Sequence, residues 1–382
     1  MSKFKFIDLF SGIGAFHIAL EELGGKCVFA SEINDECVET YKINFGMNSK
    51  CDITQLDEKN IPKHDVLCAG FPCQAFSKAG KQGGINDARG TLFFDVARIL
   101  KFHKTKYILL ENVRNLVAHD GGKTWRTIKS ILHSLGYRLT EEPLILSPHQ
   151  FGVPQYRERV FILGKYEPEN VDEPLKIELP HLMEKSDNNI YEILEPNSIS
   201  NLSDYENYVL EVWNDFYEIV KSEKSLGFPI RTYYFKNSYR DDMPDWKINY
   251  IEKNNALYNR HKHEIDAWLK KYNNLSRLNP THRKFEWQAG KDINSIYEGI
   301  IQFRPSGVRV KRPDIFPALV AIVQTPIIGR FKRKLSLREC ARLQSFPDSF
   351  KIVSPKLSAY KQFGNSANVK IIKTLCEILL KL

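Results

Sequence analysis

The sequence predicts an α/β fold in which a mostly parallel sheet is flanked by helices, together with a second, smaller domain. Over residues 1–165 short apolar runs alternate with segments of helical periodicity, which is typical of a parallel sheet wrapped by helices. After residue 165 this rhythm stops, and the chain becomes rich in Asn, Lys, Tyr and Trp. A chain of 382 residues is long enough for one large core and one smaller core.

Apolar periodicity places the elements of the first domain. Short apolar runs predict strands over residues 4–9, 26–31, 66–69, 107–111 and 159–164. Apolar residues at helical spacing predict helices over residues 16–23, 93–102 and 125–135. A further short strand is expected to end just before Asp52. Residues 369–382 repeat an amphipathic pattern, so we expect the chain to return to its first domain.

These patterns set the expected domain boundaries. The first domain would comprise residues 1–165 and be completed by residues 352–382. The second would comprise residues 166–351, which begin with a series of prolines and show no regular alternation of strand and helix.

Positive charge is concentrated in one part of the chain. The formal net charge is +9, and residues 304–342 hold ten Lys or Arg against two acids. Such a cluster is typical of a surface that contacts nucleic-acid phosphates, because neutralising phosphates releases condensed counterions. A solvated basic face is the alternative, and the cluster alone does not decide between them.

The cysteines and the apolar runs bear on compartment. The seven cysteines are scattered, odd in number and without a Cys-x-x-Cys pair, so we expect no metal site and a reducing, cytoplasmic environment. No apolar stretch approaches the length needed to cross a bilayer, and the first residues do not form a signal peptide. We therefore expect a cytoplasmic protein that is not inserted in a membrane.

Glycines follow the first predicted strand. Gly12 and Gly14 lie where that strand turns into a helix, and glycines there let the backbone approach a ligand closely. Glu32 follows at the end of the second strand, where an acid can accept hydrogen bonds from ribose hydroxyls. An adenosyl ligand fits this pattern. The glycines also fit the simple need to pack a helix on a strand.

Cys73 is a candidate nucleophile. It follows Pro72 in a turn after the strand over residues 66–69, and open α/β sheets place their chemistry at such strand ends. A thiolate in that setting can act as a nucleophile. Cys68, inside the apolar run, is instead typical of a core residue. A polar, Gly-rich segment follows Cys73 and could act as a lid.

An acid and two arginines follow other strand ends. Glu111 ends a buried strand, where a carboxyl group is costly without a partner or a function. Gln155, Arg157 and Arg159 precede the apolar run over residues 160–163, and alternation along one strand would put all three on the same side. Taken together, these residues predict a pocket with a nucleophile, an acid and cationic donors.

In their order along the chain, these motifs resemble those of the DNA (cytosine-5) methyltransferases, of the bacterial or phage restriction-modification type. The resemblance covers residues 1–165 and 335–370, including Gly70-Phe71-Pro72-Cys73-Gln74, Glu111-Asn112-Val113 and Gly364-Asn365-Ser366. It implies a Rossmann-like S-adenosylmethionine-dependent methyltransferase fold, with residues 166–351 as the target-recognition domain. The chain departs from the family pattern in having Ala367 after Ser366 and Ala318 before Leu319.

The resemblance implies roles for individual residues. For the cofactor S-adenosylmethionine it implies Phe10, Gly12, Ile13, Gly14, Glu32, Ile33, Asp52, Ile53, Pro72, Asn365 and Ser366. It implies Cys73 as the nucleophile, with Glu111, Arg157 and Arg159 as the groups that hold a flipped cytosine. To DNA contacts we assign Gln74, Ser77, Gln82, Arg89, Gln155, Arg309, Lys311, Arg312 and Arg330.

The implied reaction moves a methyl group from S-adenosylmethionine to carbon 5 of a cytosine in double-stranded DNA. Its implied partners are duplex DNA and a separately acting restriction endonuclease, and we expect a nucleoid-associated monomer. Three alternatives stay open: a methyltransferase for cytosine in transfer RNA, a nucleotide-dependent oxidoreductase, and an inactive DNA-binding relative. The long recognition region favours duplex DNA over transfer RNA, and the oxidoreductase would leave Cys73 and Glu111 without a role.

Overall fold

The structure is a computed structural model that describes residues 3–72, 92–196, 198, 200–223, 226–236, 242–319 and 324–382. The chain forms two compact units. The first unit comprises Met1–Asn189, Ala318–Ile322 and Cys340–Leu382, and the second comprises Ile190–Pro317 and Val323–Glu339. Compared with the expected boundaries, the first unit also takes in residues 166–189, 318–322 and 340–351.

The helices and strands follow in chain order. Up to residue 189 they are β1 (Phe4–Leu9), α1 (Ala15–Glu22), β2 (Gly25–Ser31), α2 (Asp35–Phe45), β3 (Val66–Ala69), α3 (Leu92–His103), β4 (Tyr107–Val113), α4 (Asn115–Ala118), α5 (Lys123–Ser134), β5 (Tyr137–Leu139), β6 (Leu144–Leu146), β7 (Gln155–Tyr156) and β8 (Arg159–Tyr166). The remainder are α6 (Asp204–Val220), β9 (Ile230–Arg231), α7 (Asp245–Arg260), α8 (Lys262–Lys271), β10 (Lys284–Gln288), β11 (Ile300–Arg304), β12 (Gly307–Lys311), β13 (Phe316–Pro317), β14 (Ile327–Ile328), β15 (Arg333–Lys334), α9 (Leu337–Leu343), α10 (Lys356–Asn365) and α11 (Val369–Leu379).

The sheet of the first unit has the strand order β2-β1-β3-β4-β8-β5, with β6 also paired to β8. Strands β2, β1, β3 and β4 are parallel, and β8 is antiparallel to β4. The carboxyl ends of β1, β3 and β4 therefore meet at one edge. Because β8 runs the other way, its first residue, Arg159, lies beside Val113 at that same edge.

Buried apolar residues explain why this sheet was predictable. All four residues of β3 are buried, and the end of β1 is buried as well. Apolar side chains of α3 and α5, including Val96 and Ile128, pack in the same core as β3 and β4. Strands covered on both faces have continuous apolar sequences, which is the pattern that the sequence displays.

The expected α/β fold is confirmed, and the five predicted strands and the terminal helix lie within two or three residues of their predicted bounds. Two details were wrong. Within the described residues 3–72, no strand ends just before Asp52; Lys50 makes only an isolated bridge to Glu32, and a short 3-10 turn begins after Asp52. Gln155 and Arg159 lie on separate strands, because β7 ends at Tyr156, β8 begins at Arg159, and the two residues between them belong to neither strand.

The second unit has its own sheet and core. Its strand order is β15-β14-β11-β12-β10-β9. Helix α6 begins at a capping box in which Ser203 and Glu206 satisfy each other's backbone N–H groups. Trp213 of α6 stacks on Phe285 of β10, with ring centroids 4.8 Å apart. Among the described residues, no helix has an apolar stretch long enough to cross a lipid bilayer.

Candidate active site

The turn after β1 depends on left-handed backbone conformations. Phe10, Gly12 and Gly14 have φ values of 56°, 51° and 88°. A Cβ at Gly14 would lie 2.2 Å from the ring of Phe45, whereas one at Gly12 would meet no atom within 4 Å. Gly14 is therefore required by packing against α2, and Gly12 leaves its backbone open to a ligand.

Glu32 ties this turn to the end of β2. One carboxylate oxygen accepts a hydrogen bond from the N–H of Gly12 at 2.9 Å. The other accepts hydrogen bonds from the N–H groups of Ile33 and Asn34 at 2.9 and 2.8 Å. A carboxylate can accept about four hydrogen bonds, so Glu32 keeps capacity for a further donor.

A cavity of 660 Å³ lies over the carboxyl edge of the first-unit sheet. Ten of the eleven residues assigned to the cofactor line it, the exception being Gly14; these ten are Phe10, Gly12, Ile13, Glu32, Ile33, Asp52, Ile53, Pro72, Asn365 and Ser366. Ile33 is 64% exposed, although it is a large apolar residue. Glu111, Arg157 and Arg159 line the same cavity. The cavity thus joins the Gly12 turn to the acid at the end of β4.

Glu111 and Arg159 form the charged part of the cavity. Arg159 Nε lies 3.2 Å from Glu111 Oε1, and the two side chains are 21% and 12% exposed. Burial raises the pKa of the Glu111 carboxyl, while the positive charges of Arg159 and Arg157 offset part of that rise. The carboxyl is thus easier to protonate than an exposed glutamate, and it can donate a hydrogen bond when protonated.

Arg157 is bonded mainly to the main chain. Its guanidinium is buried and donates hydrogen bonds to the carbonyl oxygens of Leu319 at 2.6 Å, Gly364 at 2.8 Å and Ser366 at 3.0 Å. Burial lowers the pKa of Arg157 to about 9, with a further contribution from Arg159. Most of its donors are therefore committed to the main chain, although its surface still contributes to the cavity wall.

Gln155 is also turned inward. The side chain is fully buried, and its Oε1 accepts a hydrogen bond from Gln344 Nε2 at 2.9 Å. A side chain in this position cannot reach DNA without leaving the core, so the geometry does not favour the DNA contact that the sequence suggested for it.

Asn112 fixes the segment that leads towards Cys73. Its Nδ2 donates to the carbonyl oxygen of Phe71 at 2.9 Å, and its Oδ1 accepts from the N–H of Val113 at 2.8 Å. The end of β4 and the segment after β3 are thereby held together, with Pro72 at the cavity. Cys73 is the next residue in the chain. It lies outside the described residues, as do four residues assigned to DNA contact: Gln74, Ser77, Gln82 and Arg89.

Helix α10 contributes cavity residues that the sequence analysis did not identify. Ser358, Lys361 and Gln362 line the cavity beside the expected Asn365. Ser358 Oγ donates to Glu36 of α2 at 2.9 Å, which fixes α10 against the helix that follows Glu32. The only sequence signal was the short apolar pattern before Gly364, which is too weak to distinguish a helix from a loop. Asn112 was quoted in a motif but was likewise not given a role of its own.

The four basic residues of the second unit that were assigned to DNA are Arg309, Lys311, Arg312 and Arg330, and two of them pair with acids 23 and 20 residues earlier in the sequence. Arg309 contacts Glu286 at 2.5 Å, and Arg312 contacts Asp292 at 2.5 Å. Arg330 donates to the hydroxyl of Tyr191 at 3.3 Å, and Lys311 is half-buried on β12. The local charge excess seen in the sequence is therefore partly neutralised by folding.

Comparison with known proteins identifies what the chain resembles. It matches the family profile of C-5 cytosine-specific DNA methylase over residues 4–381. It is 32% identical to the type II methyltransferase M.AluI of Cellulosimicrobium cellulans, with 97% of this chain and 91% of the relative covered. It is 36% identical to the type II methyltransferase M.HpaII of Haemophilus parainfluenzae, with 99% and 90% covered.

Solved structures resemble it in fold. The crystal structure of the Dnmt2 methyltransferase of S. pombe superposes with a TM-score of 0.54 and 18% identity, covering 99% of this chain and 98% of that one.

Proposed function

The chain belongs to the C-5 cytosine-specific DNA methylase family, and we propose that it transfers a methyl group from S-adenosylmethionine to carbon 5 of a cytosine flipped out of duplex DNA. The family is the one that the motifs indicated, and it makes the chain an enzyme of the methyltransferase class. Membership of this family excludes the oxidoreductase alternative. The first unit would carry catalysis and the second would recognise the target sequence.

The part of the cavity beside β1 and β2 fits S-adenosylmethionine. Ser11 Oγ lies in the cavity wall, is buried, and has no hydrogen-bond partner among the described residues. Open space lies above Gly12, and the exposed apolar face of Ile33 suits an adenine ring. Glu32 would accept hydrogen bonds from the ribose hydroxyls, with Asp52, Ile53, Asn365 and Ser366 completing the site. When bound, this cofactor supplies an electrophilic methyl group on a sulfonium.

The part of the cavity beside β4 and β8 fits the cytosine ring. Carbon 5 of cytosine is a poor nucleophile, so the ring must first be activated. In the proposed sequence the Cys73 thiolate forms a bond to carbon 6, and electron density moves to carbon 5, which takes the methyl group. Loss of the carbon 5 proton and cleavage of the bond between sulfur and carbon 6 then restore the ring and release Cys73.

Glu111 would supply the proton-bearing group that this step needs. Attack at carbon 6 builds negative charge towards ring nitrogen 3, and a protonated carboxyl can donate a hydrogen bond there. The raised pKa of Glu111 supports this role, because the protonated form persists to higher pH than it would on an exposed glutamate. Arg159, in contact with Glu111, would bind the ring carbonyl oxygen.

One observation carries the proposal. A single cavity has a ligand-ready turn at Gly12 and Glu32, an acid paired with an arginine at Glu111 and Arg159, and the residue that precedes Cys73 at its wall. Such a cavity can hold a methyl donor and a planar base together. A base inside a duplex cannot enter it, so the target must leave the stack at a cost of a few kcal/mol.

The test is Cys73→Ala, with Cys51→Ala as a matched control. Cys51 lines the same cavity, and burial together with Asp52 raises the pKa of its thiol, so its removal should leave methylation intact. Cys73→Ala should abolish transfer of tritium-labelled methyl groups to duplex DNA, while DNA binding survives. A duplex with 5-fluorocytosine at the target should trap a covalent adduct only when Cys73 is present. Methylation by Cys73→Ala would overturn the assignment.

The substrate and partners are tested with the same assay. We propose duplex DNA rather than transfer RNA as the substrate, and labelled methyl incorporation into each distinguishes the two. We further propose a monomer that acts as the modification enzyme beside a separate restriction endonuclease. Bisulfite sequencing of DNA from cells expressing the chain would reveal the methylated cytosines and their sequence context.

A further inference from the structure

A basic cavity, distinct from the candidate active site, lies at the opposite edge of the first-unit sheet. Its volume is 740 Å³, and Lys3, Lys5, Lys59 and Lys63 line it together with His64 and His103. They lie at the amino ends of β1 and β3, at the end of α3 and, for Lys59, on the 3-10 turn over Glu58–Asn60. Because β1 rises about 3.3 Å per residue, this edge is about 16 Å from the candidate active site along the strand.

The four lysines are available for an anionic ligand. All four are exposed, and none forms an ion pair with any acid of the described residues. The nearby acids are engaged by other groups. Asp65 accepts a hydrogen bond from the backbone N–H of Lys5 at 2.8 Å, and Glu58 pairs with Arg98 at 2.7 Å. Folding therefore leaves the positive charge of this edge uncompensated.

The two histidines stiffen the cavity wall rather than add charge. His64 Nδ1 donates to the carbonyl oxygen of Pro62 at 2.8 Å, and its Nε2 accepts from the Thr105 hydroxyl at 2.8 Å. That pattern requires the neutral ring, and burial lowers the pKa of His64 to about 4. His103 Nε2 donates to the carbonyl oxygen of Glu58 at 2.9 Å. The segment that carries Lys59 and Lys63 is thereby fixed on both sides.

We propose that this amino edge is a second DNA-binding surface, at which Lys3, Lys5, Lys59 and Lys63 contact the phosphate backbone of a duplex segment other than the one holding the target cytosine. Lysine ammonium groups bind phosphates as point charges, without a need for base sequence. Exposed Lys101, Lys104 and Lys106 follow on the adjoining helix end and loop and extend the positive surface. The choice of DNA as the polyanion rests on the proposed function.

Such a surface would keep the enzyme on long DNA between target sites. Contacts to phosphates supply most of non-specific binding and allow a protein to slide or transfer between segments. A phosphate-binding surface at the amino edge would let the enzyme hold one DNA segment while the candidate active site tests another. The contribution of the amino edge to binding should be confined to long DNA, because a short duplex bound at the candidate active site has no further segment that could reach the amino edge.

The test compares two variants of equal charge. The first carries Lys3→Gln, Lys5→Gln, Lys59→Gln and Lys63→Gln; the control carries Lys42→Gln, Lys123→Gln, Lys370→Gln and Lys381→Gln, which are exposed lysines elsewhere on the first unit. Binding to plasmid DNA is measured against salt. Removing one lysine–phosphate interaction should reduce the slope of log K against log salt by about 0.9, so the slope for the first variant, which lacks four lysines, should be smaller by about 3.6. The slope for the control should fall by less than about 1.

Activity separates this proposal from the proposed function. The first variant should methylate a short duplex with an unchanged kcat, while its KM for plasmid DNA rises. Equal salt slopes for the two variants would overturn the proposal, whether or not methylation is observed. Weaker binding to phosphatidylserine vesicles with an unchanged DNA slope would overturn it too, by identifying a lipid surface instead. A wild-type chain that methylates no duplex would contradict the proposed function without changing the binding comparison.

Discussion

Each unit contains an arginine–glutamate pair that is largely buried, and the two pairs differ in how completely their charges are satisfied. In the second unit, Arg333 donates to both oxygens of Glu339 at 2.8 and 2.7 Å. The same carboxylate accepts from the N–H groups of Glu195 and Ser336 at 2.9 and 2.8 Å. In the first unit, Arg159 Nε lies 3.2 Å from Glu111 Oε1.

The difference separates a structural pair from the pair that we propose takes part in the reaction. A buried carboxylate with four hydrogen bonds has no capacity for a substrate, and it holds chain segments in place. A largely buried carboxylate 3.2 Å from its arginine remains costly to ionise, and burial accordingly raises the pKa of Glu111. Incomplete satisfaction beside a cavity is thus what an acid that takes part in chemistry requires.

The strongest test of this comparison is Glu111→Gln. Gln fills the same space but cannot deliver a proton, so kcat should fall by about 10² to 10⁴ with little change in stability. The wild-type rate should also decline as pH rises through the pKa of Glu111, because the protonated, donating form is depleted. Glu111→Gln should show no such decline. Steady-state methylation across pH, with thermal melting as the folding control, checks both expectations.

The same substitution in the other pair should act on stability instead. In Glu339→Gln an amide NH2 group replaces one of the oxygens that accept hydrogen bonds from Arg333, so two donors face each other. The buried guanidinium also loses its counter-charge. Breaking a buried pair in this way costs about 3–5 kcal/mol, so urea should unfold the variant at clearly lower concentration. Where the protein is still folded, kcat should stay near the wild-type value. A folded Glu339→Gln enzyme with the kinetic defect of Glu111→Gln would remove the distinction between the two pairs.

Sequence patterns predicted the parts of the first unit that depend on local periodicity. Buried parallel strands are continuous apolar runs, so β1 and β3 could be located to the residue. Helices α2 and α10 were missed, because their apolar residues are gathered on one face less clearly than those of α3 and α5. The two helices also contact each other, as in the bond between Ser358 and Glu36. The second unit gave no regular pattern, since its sheet joins strands of two to five residues separated by long segments.

Local sequence patterns likewise predicted only part of the candidate site. Glu111 and Arg159 were predictable because strand ends meet at one sheet edge. The role of Arg157 was not, since its carbonyl partners lie 162 to 209 residues away in the sequence. Only the folded chain brings Leu319, Gly364 and Ser366 around one guanidinium. A motif can therefore identify an important arginine while leaving open whether it contacts substrate or the protein's own backbone.

Arg157→Lys tests that reassignment. Lysine keeps a positive charge but cannot bond three separate carbonyl groups in the fixed geometry of a guanidinium. Carbonyl groups left unsatisfied cost about 1–3 kcal/mol, and they include those of the segment that holds Asn365 and Ser366. We expect the Kd for S-adenosylmethionine to rise about tenfold without DNA present, with a smaller change in kcat. Isothermal titration calorimetry measures this. Unchanged cofactor binding with a large drop in kcat would instead support the original assignment, in which Arg157 contacts the flipped cytosine.

The smallest expected effect separates two arginines of the second unit that the sequence treated alike. Arg312 is 44% exposed in its pair with Asp292, whereas Arg309 is 19% exposed in its pair with Glu286. An exposed pair contributes little, so Arg312 can exchange its carboxylate for a DNA phosphate at small cost. Arg309 would have to abandon a partly buried partner. Arg312→Gln should therefore lower the salt slope of duplex binding by about 1 without shifting the melting temperature, whereas Arg309→Gln should lower the melting temperature first. If instead Arg309→Gln lowered the salt slope and Arg312→Gln lowered the melting temperature, the exposure of an ion pair would not predict which arginine contacts DNA.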